Sequence, residues 1–328
     1  MRTAALIGHG ASGDLVRIVD GTAQVVAQNR STRQLDAQDW WRLHRIMPNL
    51  RRRHEVLRGI RSFLDDDGFL EVETPLITRG PAIEPHLDSI PVVVSGESRW
   101  LVTSPEYHLK RLLSSGIERL YSLGKVFRNE ERGRHHQPEF TMLEWYRVGE
   151  PVEALMRDVE HFVALASGRA RPWTRLTVAE ALSRWAQPAD DPAEVVRLLV
   201  EFVEPALAEL GCVFLTDYPI ELASLARPNP ADPSVSERFE AYVDGVELAN
   251  GFGELTDAVE QRRRFEAELL ERQRQGLPTP PLDERFLDAL ACGIPPVSGI
   301  ALGIDRLLMI GLPAERIDDV VTLVYEDN

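Results

Sequence analysis

The sequence predicts an α+β fold built on an antiparallel β-sheet flanked by helices, and three observations lead there. Asp20-Gly21 and Asp244-Gly245 each lie between apolar runs that alternate with polar positions, the two-residue signature of a hairpin turn. Two further apolar runs, Arg119 to Phe127 and Glu139 to Val148, are joined by the charged stretch RNEERGRHHQ, which pairs them as antiparallel neighbours. Regular strand–helix–strand alternation, the mark of a doubly wound parallel sheet, is missing.

Residues 1–45 read as a short β-rich extension around the Asp20-Gly21 turn. A five-stranded oligonucleotide-binding barrel with its turns needs well over roughly 50 residues, so this segment is an incomplete barrel at most. Residues 46–328 read as one large domain. From Leu50 to Asp67, Val56, Leu57, Ile60, Phe63 and Leu64 recur at helical spacing. Gly68 stops that helix, and FLEVETP continues as a strand closed by Pro75. In TSPEYHLKRLL, Ser104 is an N-cap, Pro105 takes the first helical position and Glu106 the first turn, each the type favoured there. Residues 151–210 read as mostly helical, and ARPNPADP is a proline-rich connection. After it come the hairpin at Asp244-Gly245, a charged helix over about 256–276, the turn GLPTPP, a helix, and SGIALGIDRLLMI. This last stretch is a strand entering a buried helix with Arg306 at the junction.

Composition narrows the function classes. With 328 residues, 44% of them hydrophobic, the chain can bury a full core. Its formal charge of −15 provides no global basic field for a polyanion, although RRRH from Arg51 to His54 is a local basic patch. The start, MRTAALIGHG, is too weak for a signal peptide and no later run approaches a membrane span, so the expected location is the cytoplasm. Cys212 and Cys292 are expected to be two reduced, packed thiols.

Three charged clusters fall at strand ends: Arg128, Asn129 and Glu130 with Glu139 and Glu144; Glu240, Glu247 and Glu254; and Asp305 with Arg306. Arginines beside carboxylates suit a site that must hold a phosphate chain, divalent cations and a cationic substrate together. Each taken singly also reads as a solvated ion pair, the commoner fate of a charged residue.

Taken together, the clusters resemble a known family. FRNEERGRHHQPEFTMLEW resembles the second signature of class II aminoacyl-tRNA synthetases, GIALGIDR the third, and the helix and strand ending in EVETP the first. TSPEYHLKRLL, RNEE, PEFTMLEWY and GVELANGFGELTDA narrow it to the catalytic domain of lysyl-tRNA synthetases, over roughly residues 48–325. The implied fold is a six-stranded antiparallel sheet with flanking helices. The short segment before the core stands where lysyl-tRNA synthetases carry an anticodon-binding barrel. The chain therefore resembles the protein-lysylating paralogues, the elongation factor P–lysine ligases, which attach (R)-β-lysine to a lysine of elongation factor P. The resemblance implies that acceptor protein as partner, no stable tRNA partner, and a homodimer.

It also implies site residues. Arg128 and Arg306 would be catalytic, acting on the phosphates of ATP, and Phe140 would stack on the adenine whose amino group Glu130 accepts. Asn129, Gln137, Glu247, Leu248 and Gly303 would complete the ATP site, Gln137 standing where the family usually has Asn. Glu240 and Glu247 would hold Mg²⁺ as hard oxygen donors. Ser104, Pro105, Glu106, Glu144, Tyr146, Glu254 and Ala301 would bind the amino acid. A diammonium substrate needs several buried carboxylates, because a desolvated cation without a partner is too costly. Lysyl-tRNA synthetases have glycine at the position of Ala301, and the protein-lysylating family alanine, whose methyl takes space where an α-ammonium would sit. Two rival readings follow from the same motifs: a truncated lysyl-tRNA synthetase charging tRNA with α-lysine, and a non-catalytic synthetase-like regulatory module. Ala301 with the short N-terminal segment speaks against the first; Arg128, Glu130, Glu247 and Arg306 together speak against the second.

Overall fold

The computed structural model describes residues 5–6, 15–19, 22–27, 37–83, 88–129, 132–312 and 314–324. The chain divides into two compact units, Met1–Pro48 and Asn49–Asn328. In the first, strands β1 (Ala5–Leu6), β2 (Leu15–Val19) and β3 (Thr22–Ala27) form a sheet in the order β1-β3-β2. β2 and β3 are antiparallel, as the Asp20-Gly21 signal predicts, while the turn residues themselves lie outside the described residues.

Helix α1 spans Ala37–Asp66, so it begins well before Leu50 and carries Pro48 within it. Strand β4 is only Leu70–Glu71, shorter than the predicted run through Pro75. It is an edge strand held parallel to β8 (Arg119–Phe127) for two residues. Strands β5 (Ile77–Thr78), β6 (Pro91–Val94) and β7 (Glu97–Leu101) form a small sheet that the sequence pattern does not anticipate. Helix α2 is Glu106–Leu113 with Pro105, not Ser104, at its N-cap position, one residue later than expected; the Ser104 hydroxyl still accepts from the Glu106 amide at 3.0 Å.

β8 pairs antiparallel with β9 (Glu139–Val148), and helix α3 (Val152–Ser167) follows. Within the stretch expected to be helical lies a strand, β10 (Trp173–Thr177). Its WTRLT sequence is half polar and five residues long, too short for periodicity to separate strand from helix. Helices α4 (Val178–Trp185), α5 (Pro192–Leu198) and α6 (Glu204–Leu207) come next, α5 and α6 joined by a π-helical turn at Leu199–Val203. β11 (Cys212–Thr216) then leads to the hairpin of β12 (Arg238–Val243) and β13 (Val246–Gly253). Its turn places Asp244 at φ 52° and Gly245 at φ 80°, the two positive angles that an Asp-Gly pair accommodates. Helices α7 (Ala258–Arg274) and α8 (Glu284–Cys292), strand β14 (Val297–Gly303) and helix α9 (Ile304–Gly311) complete the unit.

The main sheet has eight strands in the order β10-β11-β12-β13-β14-β9-β8-β4. The six from β11 to β8 are antiparallel throughout, as expected, and each edge adds a strand in parallel. The two-residue period of a strand then divides the roles. On β9 and β14, Leu143, Trp145, Ile300 and Leu302 point to one face, where they join Ile60, Leu64, Leu155, Val159, Phe162, Leu307 and Leu308 from α1, α3 and α9 in the largest apolar cluster. Their neighbours Met142, Glu144, Tyr146 and Ala301 fall on the opposite face. Cys212 is buried, as expected; Cys292, at the end of α8, is exposed, contrary to expectation.

Candidate active site

That opposite face floors a cavity of about 870 Å³, a size typical of small-molecule sites. One transverse row of the sheet runs Glu240, Asn250, Ala301, Glu144, Ser122, each directly opposite the next across a ladder. Arg128, Gln137, Phe140, Glu240, Glu247, Leu248, Ala301, Gly303 and Arg306 all border this cavity, together with Ser104 and Glu106. Residues far apart in sequence thus meet in one place.

At one end the Arg128 guanidinium lies over the Phe140 ring, 5.2 Å from its centroid, leaving a planar cation beside an aromatic face. The Asn129 amide donates to the Asp88 carbonyl at 2.9 Å. Arg306 donates to the Glu247 carbonyl at 2.7 Å and its carboxylate at 3.2 Å, and its other terminal nitrogen meets His136 Nε2 at 2.6 Å. The Gln137 amide donates to Asp318 at 2.9 Å. Beneath them Asp305 is buried, accepting from the Thr141 amide at 2.7 Å and from Arg53, which anchors α9 to β9. Glu130 lies outside the described residues.

Carboxylates define the hairpin side. Glu240 accepts from Arg238 at 2.6 Å, from the Tyr218 hydroxyl at 2.6 Å and from the Tyr242 hydroxyl at 2.7 Å, so both its oxygens are engaged. Glu247 is the more open of the expected metal pair, 41% exposed in its side chain and paired with Arg306. Glu204, which no sequence motif marks, stands beside them; burial and the Glu240 and Glu247 charges push it up to about 7. Among the described residues no group of three or more metal-ligating side chains forms a closed metal site. The oxygen donors suit a hard divalent cation only if a ligand such as phosphate supplies the rest of its shell.

At the other end Glu106 borders the cavity, while Glu144 and Glu254 are buried outside its lining, as is Tyr146. The Ser104 hydroxyl donates to Glu144 at 2.6 Å and the Tyr146 hydroxyl donates to it at 2.7 Å. Lys110, 1% exposed, reaches Glu106 at 2.6 Å and Glu254 at 2.5 Å. Burial and the Glu106 charge hold Glu144 well above the usual carboxylate range, against the hydrogen bonds from Ser104 and Tyr146. Glu254 is raised by burial, with Lys110 opposing. Pro105 is buried behind Ser104. Gly299 is bare for a steric reason: a Cβ there would collide with the Tyr146 ring and the Glu254 carboxylate. Asn250, also absent from the predicted set, borders the cavity with a buried Oδ1 that has no hydrogen-bond partner among the described residues. Such an acceptor is open to a ligand donor. Lys110 was legible as an i, i+4 partner of Glu106; Asn250 and Glu204 gave no local signal.

Comparison with known proteins agrees with this geometry. Residues 31–325 match the family model for class II tRNA synthetases (D, K and N). An elongation factor P–(R)-beta-lysine ligase of Vibrio cholerae is 38% identical over 317 aligned positions, covering 87% of this chain and 98% of the relative. Proteins of the same name from Salmonella paratyphi B and Salmonella schwarzengrund are 40% identical, with the same coverage. The chain therefore belongs to the class II tRNA synthetase family, in the group that holds the elongation factor P–(R)-beta-lysine ligases.

Proposed function

We propose that this protein activates (R)-β-lysine with ATP and transfers it to the ε-amino group of a lysine on translation elongation factor P, a ligase reaction that forms a C–N bond and releases AMP and pyrophosphate. The observation that carries this reading is one cavity bordered by Arg128, Phe140 and Arg306 and by Ser104 and Glu106, with the buried carboxylates Glu144 and Glu254 joined to those last two through the Ser104 hydroxyl and Lys110. The arginine and aromatic side suits a nucleotide triphosphate, the carboxylate side a small molecule with two ammonium groups.

In this reading the substrate carboxylate attacks the α-phosphate of ATP in line, giving the aminoacyl-adenylate and pyrophosphate. A carboxylate is already a nucleophile, so positioning and charge neutralisation suffice. Arg128 takes the α-phosphate with its planar fork while Phe140 stacks on the adenine. Arg306, tethered to Glu247 and His136, meets the phosphate chain from the other side. Asn129, Glu130, Gln137, Leu248 and Gly303 complete the nucleotide contacts. Glu247 would hold Mg²⁺, joined by Glu240 in exchange for its present donors, and the ion would neutralise phosphate charge. Glu106, Glu144 and Glu254 receive the ammonium groups, with Ser104, Pro105 and Tyr146 shaping the walls. The acceptor amine, deprotonated, then attacks the mixed anhydride and AMP leaves.

The reading includes a homodimer and a cytoplasmic location, with residues 1–45 as an extension outside the catalytic domain. Leu70, Leu76, Ile77, Val93 and Val94, exposed around β4–β6, support a partner surface there. No helix of the described residues is long and apolar enough to cross a membrane. The deciding experiment is ATP–pyrophosphate exchange with (R)-β-lysine and α-lysine, followed by transfer of label to elongation factor P or to tRNA. Exchange favouring β-lysine with label on the protein is expected; label on tRNA alone would overturn the proposal.

A further inference from the structure

Lys110 is the least accessible cation of the site and takes no part in the chemistry set out above. It lies on α2 one turn after Glu106, and its ammonium bridges Glu106 on the same helix to Glu254, the residue after β13. The Phe286 ring of α8 closes the remaining side, 5.9 Å from Nζ to its centroid. An amine this deep keeps its charge only where paired carboxylates outweigh the cost of desolvation. Here they do: burial works against the charge, but Glu106 and Glu254 hold Lys110 above the usual lysine range.

The charge count of the pocket follows. In the ionised form that a bound dication requires, Glu106, Glu144 and Glu254 supply three negative charges and Lys110 one positive, leaving two for a ligand. Arg227, whose charge also acts on Glu254, is tied to Glu237. Two is the number of ammonium groups on a diamino acid. If all three carboxylates faced the ligand alone, one would remain uncompensated in a buried place, and it would take up a proton and lose its value as a cation site.

Resting on the ligase reading above, we propose that Lys110 is a positioning residue of the amino-acid pocket: an internal ammonium that holds Glu106 and Glu254 at a fixed separation and matches the pocket's charge to a substrate with two ammonium groups. Lys110 itself does not touch the reacting atoms.

The test compares the wild-type enzyme with Lys110→Met, which fills the space without the charge, in β-lysine-dependent ATP–pyrophosphate exchange across pH. Removing the ammonium takes away the charge that opposes the rise of Glu254, so the pH at which the KM for β-lysine improves should move up by about one unit or more. At neutral pH that KM should rise about tenfold or more, while the KM for ATP stays within about twofold. A wild-type pH profile in Lys110→Met would overturn the proposal, since packing alone would then explain the residue. Should circular dichroism show that variant unfolded, Lys110→Gln, which keeps a donor but no charge, is measured in the same way, and a wild-type profile in it would overturn the proposal equally. Absence of exchange by the wild-type enzyme with either lysine isomer would instead overturn the ligase reading, and this inference with it.

Discussion

Ala301 and Glu144 are directly opposed across the β14–β9 ladder, so a methyl bordering the cavity stands next to a buried carboxylate. In the proposed amino-acid site, a methyl at that point takes space that an α-ammonium would need. Ala301→Gly should therefore raise α-lysine exchange relative to β-lysine by roughly 5- to 150-fold, the equivalent of about 1–3 kcal/mol. An unchanged ratio of kcat/KM for the two isomers would mean that the methyl only packs.

Gly299 lies on the same strand, under Tyr146 and Glu254. Gly299→Ala should push both off their positions and raise the KM for the diamino acid about tenfold or more, while ATP binding measured by nucleotide titration stays near the wild-type value.

The pH dependence of amino-acid binding follows from the raised carboxylates. Glu144 and Glu254 are pushed up to about 8, burial being the first cause for each, so near pH 6 the empty pocket retains protons. A dication binds the ionised form. The KM for β-lysine should accordingly fall as pH rises from 6 toward 8, the opposite of the flat profile that exposed carboxylates would give over that range. Steady-state exchange across that range measures it.

Arg306→Ala should lower the exchange rate by about a hundredfold, since it removes a guanidinium from the proposed phosphate-binding side of the cavity and releases Glu247. Stability should change less than activity, because Arg306 borders the cavity and is not part of the apolar core. Similar loss of stability and activity in a urea titration would contradict this division.

On the far face, Arg147 donates to both Asp158 oxygens at 2.8 and 2.9 Å, and Trp145 Nε1 donates to the same carboxylate at 2.9 Å. Asp158→Ala leaves a buried guanidinium without that partner and should cost about 3 kcal/mol or more in denaturant unfolding.

What could be read before the fold was local. The Asp244-Gly245 turn, the start of α2 to within one residue and the apolar run of β9 are each encoded within a few neighbouring residues. Arg128, Phe140, Arg306 and the three buried glutamates were found through motif resemblance. Lys110's contact with Glu254, the three donors that engage Glu240, and the bareness of Gly299 depend on strands and helices distant in sequence, and no local pattern carries them. β10 failed for another reason: five half-polar residues hold too few repeats to distinguish a period of two from 3.6.

The transverse row from Glu240 through Asn250 and Ala301 to Glu144 crosses three strand-to-strand intervals, about 14 Å at the fixed spacing of hydrogen-bonded strands. The backbone is thus a ruler between the proposed phosphate-binding end and the proposed ammonium-binding end. A single exchange of side chain on that row can change which amino acid fits while the graduation stays constant, so substrate choice can drift between relatives without displacing the point where the new bond is made.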